Sequence, residues 1–446
     1  MRQHFLFTFV LALVAFGCSS SSEDPETTPA WERREVVLLP PWQAGCTSDH
    51  TPIVMVHGFL ASGDTYANHV MRFVANGYCE DRIFVFDWDT MAGGRDVEKL
   101  HAFVDEVLAV TGASQIDLMG HSAGGGYGYS FLSDPARAAK VRKYVHIASG
   151  PQEGPPGPED APVPTLNLFS ANDRIVSNEG IEGVENVDLE DDDHYQVATS
   201  AESFEAIYEF LHGEPPAVVE IAPDGDVVYI AGRAVALGSN VPAAGSRVEI
   251  YELDPETAER TTKKPLAWFT ADAQGYWGPY EGARGVHYEL VVRPDNGRAI
   301  HYYREPFVRT NTKVYLRTIP SRSGGLTDVL VSALRFDDGQ PTSVVFLANR
   351  GLQPGDALAI DEVDLSGDEF TNPDSTTIAL FFYDANRNDE TDGTPIGLFA
   401  SFPFLSGVDF APGVGSDRPV VVTWNEKRLV LPRRPGSEGV GIVVFE

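Results

Sequence analysis

The sequence predicts an α/β fold with a mainly parallel sheet and flanking helices, followed by an all-β, sandwich-like region. Continuous apolar runs at 52–56 and 144–148 are typical of the buried strands of a parallel sheet. Helices are predicted over 125–132 and 200–211. Beyond the Gly-Glu-Pro-Pro segment at 213–216 the pattern changes to short alternating strands separated by turn residues, which indicates a different structural class in the C-terminal half.

One pentapeptide in the N-terminal half has the form G-x-S-x-G. It is Gly-His-Ser-Ala-Gly at 120–124, preceded by a predicted strand at 113–119 and followed by the helix at 125–132. A strand, a sharp turn and a helix in this order form a nucleophile elbow, which raises a serine hydroxyl above the edge of a sheet. Glycines flank the serine because the turn is strained and side chains there would collide. Ser122 is therefore the candidate nucleophile; an ordinary turn is the alternative for so short a motif.

A carboxylate and an imidazole follow Ser122 in the order that an α/β-type serine hydrolase requires. Asp173 lies just past a predicted strand, and His194 lies in the loop before the closing helix. A neutral imidazole can take the serine proton, and a carboxylate fixes the tautomer of that imidazole and stabilises the imidazolium. The alternatives are structural, since Asp173 could form a turn and His194 could be a solvated loop residue. His212 is interpreted as a residue of the helix C-terminus.

Two backbone N–H groups are candidates for an oxyanion hole. The apolar strand at 52–56 is followed by the segment His-Gly-Phe-Leu at 57–60. In α/β hydrolases one donor belongs to the residue after the nucleophile, here Ala123, and the other to the loop after an early strand, here Phe59. Gly58 would let the backbone approach a substrate closely.

These motifs resemble those of the compact bacterial class 2 lipases of the α/β-hydrolase superfamily. The resemblance spans residues 54–211 and includes V-H-G-F from 56, F-D-W from 86, G-H-S-A-G-G from 120 and S-A-N-D-R-I-V from 170. It implies the same roles as the motifs do, with a catalytic triad of Ser122, Asp173 and His194 and oxyanion donors at Phe59 and Ala123.

The resemblance also implies a reaction. It is the hydrolysis of carboxylic esters of lipids, as by a triacylglycerol lipase or carboxylesterase, through an acyl-enzyme on Ser122 and without a cofactor for catalysis. A polyester depolymerase or an acyltransferase would use the same three residues. The loop at 150–164 is too short and too polar to be a large amphipathic lid, so an open site is expected. A non-catalytic lipid- or glycan-binding surface protein is the alternative of a different class. Acyl-chain length, alcohol moiety and oligomeric state stay open.

The N-terminus predicts export. A basic residue precedes an apolar run at 5–16, which is too short for a stable membrane anchor and typical of a signal peptide at 1–17. Residues 15–18 resemble a bacterial lipobox, whose cysteine, here Cys18, is lipidated and becomes the mature N-terminus; 18–30 would be a polar tether. The prediction is a lipoprotein anchored to the cell envelope, in the outer membrane if the host has one. A plain secreted protein is the alternative.

Cysteine content and charge agree with an extracytoplasmic protein. Cys46 and Cys79 each precede a predicted strand, which would place both at the N-terminal edge of the parallel sheet, and a disulfide between them is predicted; two isolated buried thiols are the alternative. The formal net charge of −32 argues against nucleic acid as a partner, because phosphates would be repelled. The expected partners are a lipid or other ester substrate and, through Cys18, a membrane.

The chain is predicted to divide into a catalytic domain at 31–213, a transthyretin-like β-sandwich at 217–311 and a second β domain at 312–446. The strand-turn-strand pattern at 267–278 supports the sandwich. This organisation also resembles that of the two-domain archaeal long-chain lipases, whose β part is credited with lipid binding, a resemblance of architecture alone.

One acidic loop in the β region has oxygen ligands at alternate positions, as calcium loops do. The predicted ligands of a structural calcium ion are Asp384, Asn386, Asn388 and Asp392. The loop lacks the glycine that usually follows the third ligand, since Asp389 stands there. An acidic turn without a metal is the alternative.

Overall fold

The computed structural model describes most of the chain, namely residues 43, 45–92, 94–177, 179–295, 297–319, 334, 342–400, 402, 404–413 and 418–446. The predicted signal peptide, the predicted tether and the lipidation site Cys18 lie outside the described residues.

A parallel sheet forms the N-terminal half. Its strands are β1 (Ile53–Val56), β2 (Ile83–Phe86), β3 (Ile116–His121), β4 (Val141–Ile147), β5 (Thr165–Phe169) and β6 (Glu185–Asp188). The strand order is β2-β1-β3-β4-β5-β6, and each neighbouring pair is parallel. The order reverses between β1 and β3, and such a switch point opens a crevice at the carboxyl ends of the strands.

Helices cover both faces of this sheet. They are α1 (Ala67–Ala75), α2 (Val97–Thr111), α3 (Ala123–Leu132), α4 (Pro135–Ala138) and α5 (Ala201–His212). Because side chains alternate along a strand, Ile53 and Met55 of β1 pack in the core that includes α1 and α5. Val54 and Val56 pack in the opposite core with α2 and α3. The predicted α/β-hydrolase fold class is confirmed.

Helix α5 closes this half, one residue away from the predicted 200–211. The Oγ of Ser200 accepts a hydrogen bond from the Ser203 N–H at 3.1 Å, which caps the helix N-terminus. Gly213 ends the helix in the left-handed conformation, with φ of 78°. The cap and the glycine stop explain why the ends of this helix are readable from sequence.

The C-terminal half contains strands in three further sheets. They are β7 (Val227–Ala236), β8 (Arg247–Glu252), β9 (Ala267–Thr270), β10 (Tyr276–Ala283), β11 (Tyr288–Arg293), β12 (Ile300–Arg304), β13 (Asn311–Thr318), β14 (Val344–Leu347), β15 (Leu358–Ile360), β16 (Val363–Asp364), β17 (Ala379–Tyr383), β18 (Leu405–Asp409), β19 (Val420–Trp424), β20 (Lys427–Leu431) and β21 (Val440–Val444). The eight-stranded sheet has the order β18-β17-β14-β21-β12-β11-β8-β9, and the smaller sheets are β10-β7-β13 and β16-β15-β19-β20.

The eight-stranded sheet is the middle layer of the β region. Phe381 packs in the core that it shares with the three-stranded sheet. The next residue along β17, Phe382, packs in the core that it shares with the four-stranded sheet. Alternation along a strand thus gives both faces of the middle sheet a buried apolar surface. The β-rich C-terminal half that the sequence predicts is therefore present, with three layers.

The structure differs from the predicted division of this half at 311/312. Strand β12 lies before that boundary and β21 after it, yet they pair in parallel through partners such as Ile300 and Val440. Strand β13 begins at the boundary and pairs with β7. One sheet therefore runs through both predicted β units, because pairing with β21 satisfies the backbone groups along one edge of β12.

A buried carboxylate lies inside the middle sheet. The fully buried Glu289 accepts hydrogen bonds from His301 Nδ1 at 2.7 Å, from Tyr303 Oη at 2.9 Å and from Arg260 Nε at 2.6 Å. Arg434 Nη2 is 3.4 Å from the same side chain. Burial alone would raise the pKa of Glu289, but the hydrogen bonds from His301 and Arg260 outweigh it and lower the pKa to about 2.

We expect Glu289→Gln to destabilise the protein at pH 6 by about 3 kcal/mol, because the partner cations lose a buried counter-charge. The carboxylate contribution is present above the unfolded pKa, about 4.5, and is lost as the pH falls toward about 2. The stability gap between wild type and variant should therefore shrink by about 2 kcal/mol between pH 6 and pH 3. Urea unfolding of both proteins at pH 6 and at pH 3 measures this difference in the free energy of unfolding. The exposed Glu281 provides a control, Glu281→Gln, and a gap independent of pH would contradict the prediction.

Candidate active site

Ser122 lies at the sharp turn between β3 and α3. Its backbone has φ of 53° and ψ of −121°, a conformation that non-glycine residues rarely adopt. The Ser122 N–H donates to Ile147 O at 2.9 Å, and Ser149 Oγ donates to Ser122 O at 2.7 Å. Both backbone polar groups are thus held from β4 and the residues that follow it. This is the strand–turn–helix geometry of a nucleophile elbow.

The glycines around the elbow allow α3 to pack directly against the strands. A Cβ at Gly124 would lie 2.2 Å from Val56 O, and a Cβ at Gly120 would lie 2.5 Å from Gly124 O. Both distances are far below van der Waals contact, so a side chain at either position would push α3 off β1 and β3. The motif glycines are therefore required for the close packing of α3 on the strands, which sets the position and orientation of Ser122.

Asp173 and His194 are brought together, although they are 21 positions apart in the chain. The two atoms in contact are Asp173 Oδ2 and His194 Nδ1, 2.7 Å apart. Asp173 Oδ1 accepts hydrogen bonds from the N–H groups of Ile175 at 2.8 Å and Val176 at 2.9 Å. Its side chain is only 2% exposed. A carboxylate held on both oxygens can orient the imidazole with its proton on Nδ1, which leaves Nε2 as an acceptor.

His121 connects the elbow to the loop of His194. Its Nε2 lies 3.0 Å from His194 O, and the two imidazole rings are 4.9 Å apart between centroids. Burial, followed by the nearby His194, lowers the pKa of His121 to about 3. A neutral His121 therefore donates to the backbone of His194 from the residue directly before Ser122, which brings all three predicted triad residues into one site.

The loop after β1 lies against Ser122. A Cβ at Gly58 would be 3.1 Å from the Ser122 Cβ, which shows how closely this backbone approaches the elbow. Ala123 is the first residue of α3, where N–H groups have no intrahelical acceptor. The Phe59 N–H makes no hydrogen bond to the parts of the chain that the structure describes. Both predicted oxyanion donors are thus beside Ser122 and available to a ligand.

Aromatic side chains differ in their exposure near the site. Tyr66 and Tyr127 are buried in the core, whereas Phe59 is 42% exposed. The Phe59 ring lies edge-on against the ring of Phe404, the residue of the β region directly before β18, with 6.4 Å between the ring centroids. Residues 150–164, predicted to form no lid, contain no helix within the structure. The wall beside Phe59 comes instead from the β region.

The acidic run before His194 has a structural role. Asp193 Oδ1 accepts hydrogen bonds from the N–H groups of Tyr195 at 2.7 Å and Gln196 at 2.9 Å, and Asp193 Oδ2 accepts one from Gly351 N at 2.6 Å. The carboxylate therefore caps the short turn that follows His194 and connects it to the β region.

A second buried carboxylate connects the two halves beside residues 57–62, the loop after β1 that carries Phe59 and is named the oxyanion loop. Asp87, just after β2, pairs with Arg233 of β7 and accepts a hydrogen bond from Tyr315 Oη of β13 at 2.6 Å. It also accepts one from the Gly63 N–H at 2.8 Å. Burial by itself would raise the pKa of Asp87, but the Arg233 cation and the hydrogen bond from Tyr315 outweigh it and lower the pKa, so the carboxylate is ionised.

Of the predicted calcium ligands, Asn386 and Asp392 contact each other, whereas Asp384 is occupied by backbone N–H groups of its own loop. Asp384 Oδ1 accepts the N–H groups of Arg387 at 2.6 Å and Asn388 at 3.3 Å. The Asn386 amide donates to Asp392 at 2.8 Å. The predicted ligand Asn388 instead accepts the Glu390 N–H through Oδ1 at 2.8 Å. Within the described parts of the chain, no group of three or more His, Cys, Asp or Glu side chains is arranged to hold a metal ion. Calcium binding stays a prediction.

The cysteine pair lies at the edge of the sheet opposite to the elbow, where the strands begin. Cys46 and Cys79 form a disulfide, with their Cα atoms 6.0 Å apart. Cys46 precedes β1 and Cys79 precedes β2, at the N-terminal ends of the strands. The bridge therefore holds the entry to both strands and leaves the catalytic edge free.

Family comparisons agree with this geometry. Residues 50–127, which carry the oxyanion loop and the elbow, match the family Lipase (class 2). The resemblance to class 2 lipases is confirmed. Residues 226–321 match the Lipase C-terminal domain, so the class 2 lipase segment is followed by a recognised lipase-associated β unit. The second match ends beyond residue 311, in agreement with the pairing of β13 with β7. Both matched segments are thus similar to families of lipase and esterase type hydrolases.

Several solved structures are also similar to this chain. Aspergillus fumigatus lipase B is 16% identical, with 41% of this chain and 56% of that chain covered and a TM-score of 0.32. A predicted CIB-like hydrolase from Thermoplasma acidophilum is 16% identical, with coverage of 38% and 90% and a TM-score of 0.29. Naproxen esterase from Bacillus subtilis is 13% identical, with coverage of 37% and 84% and a TM-score of 0.28. In the described residues, no helix is both long and apolar enough to cross a membrane.

Sequence reasoning missed the residues that surround the triad. His121 stands inside the G-x-S-x-G motif and Asp87 inside the F-D-W motif, yet neither pattern states what the side chain contacts. Asn240 and Phe404 lie in the β region and reach the oxyanion loop from there. Neither residue carries a local sequence signal for a partner so far away in the chain. The sequence alone could therefore not have indicated Asn240 or Phe404.

Proposed function

We propose that this protein is a serine ester hydrolase of the triacylglycerol lipase or carboxylesterase type, acting through an acyl-enzyme on Ser122. The observation that carries the proposal is the hydrogen bond of 2.7 Å between Asp173 and His194, next to a serine held at a nucleophile elbow. No cofactor is needed for this chemistry. The proposed location is outside the cytoplasm, with the chain anchored through lipidated Cys18.

The first half of the reaction forms the acyl-enzyme. His194 Nε2 takes the proton from Ser122 Oγ while that oxygen bonds to the ester carbonyl carbon, and the carbonyl electron pair moves onto its oxygen. The N–H groups of Phe59 and Ala123 donate to this oxyanion. When the carbon–oxygen bond to the alcohol breaks, His194 gives its proton to the departing alkoxide.

The second half releases the acid. Water enters the position of the alcohol, His194 takes one of its protons, and the hydroxide adds to the acyl carbon through the same oxyanion. Collapse of this intermediate breaks the bond to Ser122 Oγ, which recovers its proton from His194. Asp173 accepts the hydrogen bond from His194 Nδ1 throughout and so holds the imidazole in one orientation.

Lipid esters are the proposed substrates, because apolar rings border the site. Phe59 is 42% exposed beside Ser122 and contacts Phe404 of the β region. Two aromatic rings on one side of the nucleophile suit an acyl chain. The match of residues 226–321 to a domain found with lipases supports the same substrate class.

Covalent labelling combined with an ester series tests this proposal. We expect diethyl p-nitrophenyl phosphate to phosphorylate one site, in the peptide that contains Ser122, and to abolish hydrolysis of p-nitrophenyl esters from acetate to palmitate in parallel. The preferred acyl length then distinguishes esterase from lipase. Labelling at another residue would reject Ser122. A folded protein that hydrolyses none of these esters would favour polymeric substrates or a binding role for the β region.

A further inference from the structure

Asn240 lies in the turn that follows β7, at the boundary between the β region and the oxyanion loop. It is 4% exposed and has φ of 56°, in the left-handed region. The turn is closed by hydrogen bonds from Asn240 N to Ala236 O at 3.0 Å and from Ala236 N to Val241 O at 2.8 Å. Its backbone is therefore fixed within the β region, and the direction of its side chain is fixed with it.

The side-chain amide of Asn240 contacts four groups of the N-terminal α/β half of the chain, the catalytic half of the proposed enzyme. Its Nδ2 lies 2.9 Å from Ala61 O, 3.0 Å from Trp88 O and 3.2 Å from His57 Nε2. Its Oδ1 accepts a hydrogen bond from Ser62 Oγ at 2.6 Å. Three acceptors around the nitrogen and one donor at the oxygen fix the orientation of the amide. Two hydrogens are shared among the three acceptors.

The neighbouring residue Gly238 adds to this contact. Thr90 Oγ1 donates to Gly238 O at 2.7 Å and accepts the Leu60 N–H at 3.2 Å. Leu60, with φ of 57°, directly follows Phe59. The β7 turn is therefore connected to the loop on both sides of the predicted donor Phe59, directly at His57 and through Thr90 at Leu60.

His57 connects Asn240 to the oxyanion peptide itself. Its Nε2 faces two N–H donors, the backbone of Trp88 at 3.2 Å and the amide of Asn240, so Nε2 is the acceptor and Nδ1 carries the proton. His57 Nδ1 then donates to Gly58 O at 2.9 Å. Burial lowers the pKa of His57, in keeping with a neutral ring.

The carbonyl of Gly58 and the N–H of Phe59 belong to the same peptide group. Because a trans peptide is planar, its C=O and N–H point in opposite directions, and holding the oxygen of Gly58 sets the direction of the Phe59 N–H. A hydrogen bond to the carbonyl also polarises the group and strengthens the N–H as a donor. The contacts thus run without a gap from the β region to an atom that would touch the oxyanion.

We propose that Asn240 is a positioning residue of the oxyanion hole, supplied by the β region. It orients His57 and holds the carbonyl of Ala61, and through them it fixes the peptide that presents the Phe59 N–H. The β region therefore contributes to the chemical step itself. This inference rests on the proposed ester hydrolysis, since only then does the Phe59 N–H meet an oxyanion.

The test compares Asn240→Gly with Asn425→Gly. Asn425 is a matched control: it lies in a turn of the same β region, has φ of 55°, and its amide bonds to Asp356 and the Ala357 N–H. Glycine accepts both left-handed backbones without strain, so each variant loses only a side-chain amide. The readout is kcat and KM for p-nitrophenyl acetate, per active site titrated with diethyl p-nitrophenyl phosphate.

We expect kcat of Asn240→Gly to fall by about 10- to 100-fold with KM within about twofold, since the loss of an aligned oxyanion donor acts on the transition state. Asn425→Gly should retain the wild-type kcat. An unchanged kcat per titrated site in Asn240→Gly, or an equal fall in both variants, overturns the inference.

A second variant keeps the test decisive if Asn240→Gly does not fold. Asn240→Asp preserves the shape of the side chain but has no Nδ2 hydrogens for Ala61, Trp88 and His57, so its kcat should also fall at unchanged KM. A wild-type kcat in Asn240→Asp rejects the inference. Ser122→Ala is measured in parallel: if it stays active, the proposed function fails, whereas an inactive Ser122→Ala beside a fully active Asn240 variant rejects only the positioning role.

Discussion

Ser122→Ala is expected to lower kcat for p-nitrophenyl butyrate by about 10⁶-fold, because no other group at the elbow can form the acyl-enzyme. The fold should be unaffected, since the hydrogen bonds that hold this turn involve the backbone N–H and O of Ser122 rather than its hydroxyl. Any residual rate over water would come from the oxyanion donors and from substrate binding.

Ser130→Ala is a matched control for this variant. Ser130 lies on α3, close to Ser122 in the chain, and its Oγ donates back to Gly126 O at 2.9 Å. Its replacement should leave kcat within about twofold of wild type, since surface changes away from the reacting groups have small effects. If Ser122→Ala kept as much activity as Ser130→Ala, the nucleophile would have to be sought elsewhere.

Asp173→Asn is expected to lower kcat by about 10⁴-fold while KM changes little. The N–H groups of Ile175 and Val176 bond to one oxygen of Asp173, so asparagine should keep its carbonyl there and place its NH₂ group opposite His194 Nδ1. His194 Nδ1 must then accept a hydrogen bond from that NH₂ group, and the imidazole proton moves to Nε2. An imidazole in this tautomer cannot take the proton of Ser122.

Asp188→Asn separates this tautomer effect from a general loss of charge. Asp188 is exposed and accepts the Ala171 N–H at 3.1 Å, in the same loop as Asp173. We expect kcat of this control to stay close to wild type. Circular dichroism and the thermal midpoint of both variants show whether the loop is intact, and equal kcat values for the two would remove Asp173 from the triad.

The catalytic half could be read from sequence because its signals are local. Continuous apolar runs mark the parallel strands, the glycines at 120 and 124 mark the elbow, and Ser200 and Gly213 mark the ends of α5. Each of these signals acts over a few residues, through strand burial, steric exclusion or helix capping. The family matches at 50–127 and 226–321 then confirm the lipase resemblance.

The β region was harder to predict because its order depends on distant pairing. The segment 218–231 predicts two strands around Asp224-Gly225, whereas the structure has one, beginning at Val227. The carbonyl groups of Val218 and Val219 instead accept hydrogen bonds from Asn76, directly after α1, at 2.7 Å and from Arg72 of α1 at 2.8 Å. Side chains of the catalytic half thus replace a strand partner, and no local pattern reports such a substitution.

Asp87 limits which C-terminal regions can be joined to this N-terminal half during evolution. Its carboxylate belongs to the class 2 lipase segment, whereas Arg233 and Tyr315, which hold it ionised and buried, come from the β region. A gene fusion that exchanged the β region for an unrelated module would leave this acid without its cation under the oxyanion loop, at a cost of about 3–5 kcal/mol. Recombination between relatives is therefore expected to require the same acid–base pair in donor and recipient, and the two halves of the gene are expected to share one line of descent.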